Sequence, residues 1–155
     1  MRASTRDLAE TEDSGEGILE QLVSDVPAAV ARLYRRLRAE KPGGQIGDSQ
    51  LSVLALLVKT GPHALGELSD HEHVTPPSMN QTVNSLAQAG YVTRQGDPDD
   101  GRRVILVATP EGVALIEETR RRRHAWLNAR LRELSDAERE ILATATGIIS
   151  KIADS

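Results

Sequence analysis

Between residues 91 and 107 the sequence leaves little choice but a β-hairpin. Tyr91-Val92-Thr93-Arg94 and Val104-Ile105-Leu106-Val107 are rich in β-branched or aromatic residues. Asp97-Pro98-Asp99-Asp100-Gly101-Arg102-Arg103, between them, combines turn formers with charge. The hairpin follows directly on a helix-like segment, Thr75 to Gly90. A charged loop between two short strands behind a helix is the arrangement with which a winged helix-turn-helix reads duplex DNA. The chain is therefore expected to be mainly α with a small β-hairpin wing.

The remaining segments supply the helices such a fold needs. From Ile18 onward, Leu19, Leu22, Val23, Val26, Val30, Leu33 and Leu37 trace one stripe of an amphipathic helix. Pro27 lies inside it and either kinks the helix or marks the first turn of a shorter one capped by Ser24 or Asp25. Lys41-Pro42-Gly43-Gly44 ends the segment. A second helix fits Asp48 to Lys59, with Leu51, Leu54, Leu57 and Val58 inward and Gly61-Pro62 as its stop. A short third fits Leu65 to His73. The fourth opens with Thr75 as N-cap and Pro76 at its first position, and Gly90 closes it. Met79, Val83 and Leu86 form its buried face, while Ser78, Asn80, Gln81 and Asn84 occupy the opposite one.

Thr109-Pro110-Glu111 opens a long helix whose middle, Glu117 to His124, has no large apolar residue. Arg120 to Arg123 sweep roughly 300° of its surface, so they serve a solvated shaft braced by pairs such as Glu117–Arg121 and Glu118–Arg122. Ser135-Asp136-Ala137-Glu138 is a capping box, followed by the stripe Ile141, Leu142, Ala145, Ile148, Ile149 and Ile152. The apolar first and last helices flank the winged segment, and a homodimer is the simplest way to hide both stripes. Residues 1–15 are polar, acidic and aperiodic and read as a disordered tail. Residues 16–155 read as one winged-helix domain, with a DNA-binding lobe at about 46–108 and dimerisation helices at about 16–41 and 110–153.

Composition narrows the function classes. The 155 residues contain no cysteine, which excludes disulfides, thiolate metal sites and thiol chemistry. The apolar run Leu51 to Val58 is too short for a bilayer and no secretory leader is visible, so a cytoplasmic protein without a membrane partner is expected. The net charge of −4 sits in the first 20 residues, with two Arg against six acids; the other residues balance at 17 of each sign. DNA affinity must then depend on local Arg placement. Tyr34, Tyr91 and Trp126 are the whole aromatic complement, which argues against base-stacking RNA or single-strand platforms. No nucleophile–base motif, phosphate-cradling loop or carboxylate cluster suggests an enzyme, and no cofactor is implied. His71 and His73, two apart on a helix, diverge too far to share a metal. The rival reading is a winged-helix protein-interaction module without DNA binding, favoured by the overall acidity.

The element order, together with Gly61-Pro62, Gly66-Glu67-Leu68, Pro77-Ser78-Met79, Leu86, Ala89 to Arg94, Asp97 to Arg103 and Thr109-Pro110-Glu111-Gly112, resembles the multiple-antibiotic-resistance regulator (MarR) family over about residues 20–152. The resemblance implies a homodimeric repressor that binds pseudo-palindromic duplex DNA and responds to a small anionic or phenolic effector. It carries the recognition-helix contacts to Thr75, Pro77, Ser78, Asn80, Gln81 and Asn84, of which the Asn and Gln amides suit adenine edges. The wing arginine role falls to Arg102 or Arg103, with Asp97 and Asp100 as bracing partners for Arg102. Tyr34 and Trp126 are candidates for an effector pocket. Gly101 stands where the family often has a second Arg, and Glu72-His73 where it usually has Leu-Gly.

Overall fold

A computed structural model describes residues 5–42 and 46–155, with side chains from Gly15 onward. The chain divides into two compact units, Met1–Ala39 and Glu40–Ser155. The first is a single helix, α1 (Thr5–Ala39), running uninterrupted through Pro27. No shorter helix therefore begins at Ser24 or Asp25. α1 also takes in most of the segment read as a disordered tail; residues 1–4 lie outside the described residues. Leu8, Ala9, Glu10 and Glu12 are good helix formers. Extending an existing helix needs no new nucleus. Ile18, Leu19, Leu22, Val23, Val30 and Leu33 are exposed along α1.

The second unit runs α2 (Asp48–Thr60), β1 (His63–Ala64), α3 (Leu65–His71), α4 (Pro76–Gln88), β2 (Val92–Gly96), β3 (Val104–Ala108), α5 (Pro110–Arg132) and α6 (Asp136–Ala153). The Gly43-Gly44 stop before it lies outside the described residues. The strands form one antiparallel sheet in the order β1-β3-β2. Strand β1 was not expected: two residues carry no periodicity, and only pairing with Leu106 and Ile105 makes them a strand.

Leu51, Val53, Leu54 and Leu57 of α2 meet Leu68 of α3 and Met79, Val83 and Leu86 of α4 in one core. Val92 and Leu106 close it from the sheet, and Leu115 and Ile116 from α5. Val58, expected inward, is only partly buried at its edge, and Val53 takes the deeper place. α5 approaches the α4–β2 turn so closely that a Cβ on Gly112 would overlap the Tyr91 carbonyl oxygen. This explains the glycine after the Thr109 cap, whose Oγ1 accepts from Gly112 N (3.1 Å) and donates to Gly90 O (2.7 Å).

α3 ends at His71, earlier than expected. Glu72 N still bonds Leu68 O (3.0 Å), and the two amides after it fold back, His73 N to Asp70 O (3.3 Å) and Val74 N to Ser69 O (3.0 Å), with His73 at φ 53°. α4 ends in the same way, Gly90 N to Ala87 O and Tyr91 N to Leu86 O, with Gly90 at φ 80°. On α5, Arg121 and Arg122 both pair with Glu118 at 2.7 Å, so Arg121 turns to Glu118 and away from the expected Glu117. α6 is capped by the reciprocal Ser135–Glu138 box and buries none of its residues. None of the described helices is long and apolar enough to cross a membrane.

Candidate nucleic-acid interface

α3 and α4, joined by a short turn, form the helix-turn-helix, and the β2–β3 hairpin beside them is the wing. The inward face of α4 is anchored in the core by Met79, Val83 and Leu86, which fixes the roll of the helix. Pro77, Asn80, Gln81 and Asn84 then share the outward face at helical spacing, and all four are exposed. Thr75 and Ser78 sit at its N-terminus and are engaged with one another. Thr75 Oγ1 accepts from Ser78 N at 3.4 Å and lies 3.0 Å from Ser78 Oγ.

In the wing, Asp97 and Asp100 turn to the loop backbone. Asp97 Oδ1 accepts from Asp99 N (2.9 Å) and Asp100 Oδ1 from Arg102 N (3.1 Å). Main-chain bonds from Asp97 N to Arg103 O (2.8 Å) and Arg103 N to Asp100 O (2.9 Å) close the loop. Asp100 thus meets Arg102 through its main-chain amide, while the Asp97 carboxylate turns to Asp99 and not to Arg102. Arg102 is exposed, with no ion pair among the described residues.

Arg103 behaves differently. Its guanidinium is paired with Glu67 Oε1 on α3, tying the wing back to the first helix of the helix-turn-helix. Glu67 Oε2 accepts from Ala64 N at 2.8 Å and lies 3.4 Å from His63 Nδ1, whose Nε2 lies 2.7 Å from Thr60 Oγ1. The Ala64 amide first, and Arg103 second, hold the Glu67 carboxyl below the usual carboxylate range. Two arginines that looked equivalent in sequence are therefore one free and one anchored.

Arg94 was missed by the sequence reading. Its Nη2 donates to Asn80 Oδ1 (3.2 Å) and Asn84 Oδ1 (2.7 Å), joining β2 to the outward face of α4. Strand periodicity held the signal. Val92 is core-facing, so Arg94 two residues on shares its face, and the register sets Arg94 opposite the buried Leu106. Arg94 itself is exposed, and on that face its guanidinium finds two acceptors on α4.

The two aromatic candidates differ in exposure. Tyr34 is 56% exposed with Arg38 over its ring at 5.6 Å, and Trp126 is half-buried. Among the described residues, no group of three or more His, Asp or Glu is placed to hold a metal.

Comparison with known proteins gives the family. The sequence profile of the MarR family matches residues 46–104, which spans α2 to the start of β3. An HTH-type transcriptional regulator of Mycobacterium tuberculosis is 40% identical over 134 residues, 86% of this chain and 94% of the relative. The HTH-type transcriptional repressor MdtR of Bacillus subtilis is 29% identical over 140 residues, covering 86% and 87%. Among solved structures, a transcriptional regulator protein from Pseudomonas aeruginosa superposes with a TM-score of 0.78 at 26% identity, covering 87% of this chain and 96% of that one. The chain belongs to the MarR family and is a winged helix-turn-helix, DNA-binding transcription regulator.

Proposed function

We propose that this regulator acts as a homodimeric repressor. Each subunit inserts α4 into one of two successive major grooves and lays its wing on the flanking minor groove of a pseudo-palindromic operator. The observation that carries the reading is the α4 face: Pro77, Asn80, Gln81 and Asn84 exposed together on a helix whose other side is locked in the core. Thr75 and Ser78 hold its N-terminus at the backbone, and Arg102 is the wing residue free to enter a minor groove. Arg103 supports the wing through Glu67.

Dimerisation is supported by the exposed stripe of α6, Ile141, Leu142, Ile148, Ile149 and Ile152, and by the exposed stripe of α1. Two-fold symmetry sets half-sites about 10 bp apart. A small effector would act by changing the spacing of the two α4 helices. Repression accords with the named activity of the B. subtilis relative.

Fluorescence anisotropy with random and palindromic duplexes across a salt series tests the proposal. Tight, salt-sensitive binding that favours the palindrome is expected. Equal affinity for both duplexes at every salt concentration would overturn operator reading by a dimer.

A further inference from the structure

We infer that Arg94 determines which bases Asn80 and Asn84 read, by occupying their carboxamide oxygens and leaving a surface made of hydrogen-bond donors. The inference rests on α4 being the DNA-reading helix. A guanidinium has donors and no acceptor, so it can face an Asn side chain only through the oxygen. With Arg94 Nη2 at 3.2 Å from Asn80 Oδ1 and 2.7 Å from Asn84 Oδ1, both amide orientations are set. Covalent geometry then places each NH2 on the side of the amide turned from Arg94. The two asparagines are one helical turn apart on the same exposed face, so their donors form a pair.

The usual match of asparagine to adenine needs both ends of the amide, its oxygen taking the N6 proton and its nitrogen reaching N7. Here the oxygen already accepts a charged bond, about twice as strong as a neutral one. Each oxygen keeps a second lone pair, but it lies beside the guanidinium charge, so what this spot presents most strongly is two NH2 groups and the other N–H groups of Arg94. Guanine offers acceptors at both N7 and O6, and thymine at O4. Adenine and cytosine bring N6 and N4 amino groups, which would meet donors. The cluster is therefore matched to guanine first and thymine second. Gln81, on the same face but with no bonded partner among the described residues, keeps both donor and acceptor and stays suited to adenine. Arg94 is a positioning residue here, held by a strand whose neighbouring Val92 is in the core.

The test is selection of binding sites from a randomised duplex library with the full-length protein, its Arg94→Met variant, and Asn80→Ala and Asn84→Ala. The last two mark the base positions the asparagines read, as those whose preference flattens. Wild type is expected to prefer guanine over adenine there by about tenfold, within the range for one good base contact. Replacing that guanine with 7-deazaguanine should weaken wild-type binding by a similar factor. Arg94→Met should move the preference toward adenine as the amide oxygens are released.

A wild-type preference for adenine at those positions would overturn the inference. So would an Arg94→Met protein that loses affinity for every sequence equally with its preference unchanged, because that is the signature of a phosphate contact. Absence of any duplex binding by wild type would instead remove the underlying reading of α4. If Arg94→Met fails to fold, the 7-deazaguanine result on wild type decides alone.

Discussion

The winged lobe and the last helix carry apolar stripes of the same quality and treat them in opposite ways. Leu54 and Leu68 are 0% exposed, whereas Ile141 and Ile152 of α6 are 69% and 64% exposed. Both stripes recur at helical spacing, and α6 even has the more complete N-terminal cap. The difference lies in what one chain can supply. Around α2 the same chain brings α3, α4, the sheet and α5, so burial is completed locally. Around α6 no other element of its own unit buries the stripe. Burial of apolar surface is the driving force in both places: in the lobe it selects a fold, and under the proposed dimer it would select a partner at α6.

Substitution on the two sides should separate these roles. Leu54→Ala, at the centre of the core, should destabilise the lobe by about 2–5 kcal/mol, read as a lower denaturant midpoint. Ile148→Glu, on the exposed stripe, should leave the melting of the lobe within about 0.5 kcal/mol. It should abolish self-association, measured by sedimentation at micromolar concentration. If Ile148→Glu unfolded the lobe as Leu54→Ala does, α6 would be part of the core and the contrast would fail.

The same contrast explains what could be read in advance. α2, α4 and the long helices were legible because cap residues and periodicity are local properties. Thr75, Thr109 and Ser135 cap the helices the sequence placed them on. The wing was legible because its turn formers lie between two β-rich runs. Strand β1, the depth of Val53 and the arginine connections were not, since each depends on a neighbour distant in sequence. Arg103 reaches Glu67 across 36 positions and Arg94 reaches Asn80 across 14. The candidate DNA face was thus visible as a row of polar residues, while its internal wiring was not.

The two matched helix ends sharpen the comparison inside the lobe. α3 and α4 both stop with a residue in the left-handed region, Gly90 at φ 80° and His73 at φ 53°. Glycine adopts that conformation without penalty, whereas a side chain meets its own backbone. His73 also stands where the family resemblance places glycine. His73→Gly is therefore expected to stabilise the lobe, by about 0.5–1 kcal/mol after the greater chain entropy of glycine is counted. A rise in the thermal midpoint with unchanged DNA affinity is the expected result; a fall would show that the His73 side chain contributes more than its backbone costs.

The smallest effect concerns acid and again contrasts the winged lobe with the last helix. Glu67 in the lobe and Glu138 at the start of α6 are both held below the ordinary carboxylate range, and in both the largest cause is a backbone amide, of Ala64 and Ser135 respectively. A carboxyl whose folded pKa is depressed binds its proton more readily in the unfolded chain. Its stabilising contribution is present above the ordinary value and disappears as pH falls through the depressed one. Both groups are solvent-exposed, so the slope of stability against pH should be shallow. The individual titrations, followed by carboxyl chemical shifts, are the sharper readout. Arg103→Ala should raise the Glu67 midpoint only part of the way to the ordinary value, because the Ala64 amide remains, and should leave Glu138 unmoved. A full return of Glu67 to the ordinary value would mean that the wing, more than the α3 N-terminus, holds this carboxylate. The wing and the helix-turn-helix would then be a single electrostatic unit.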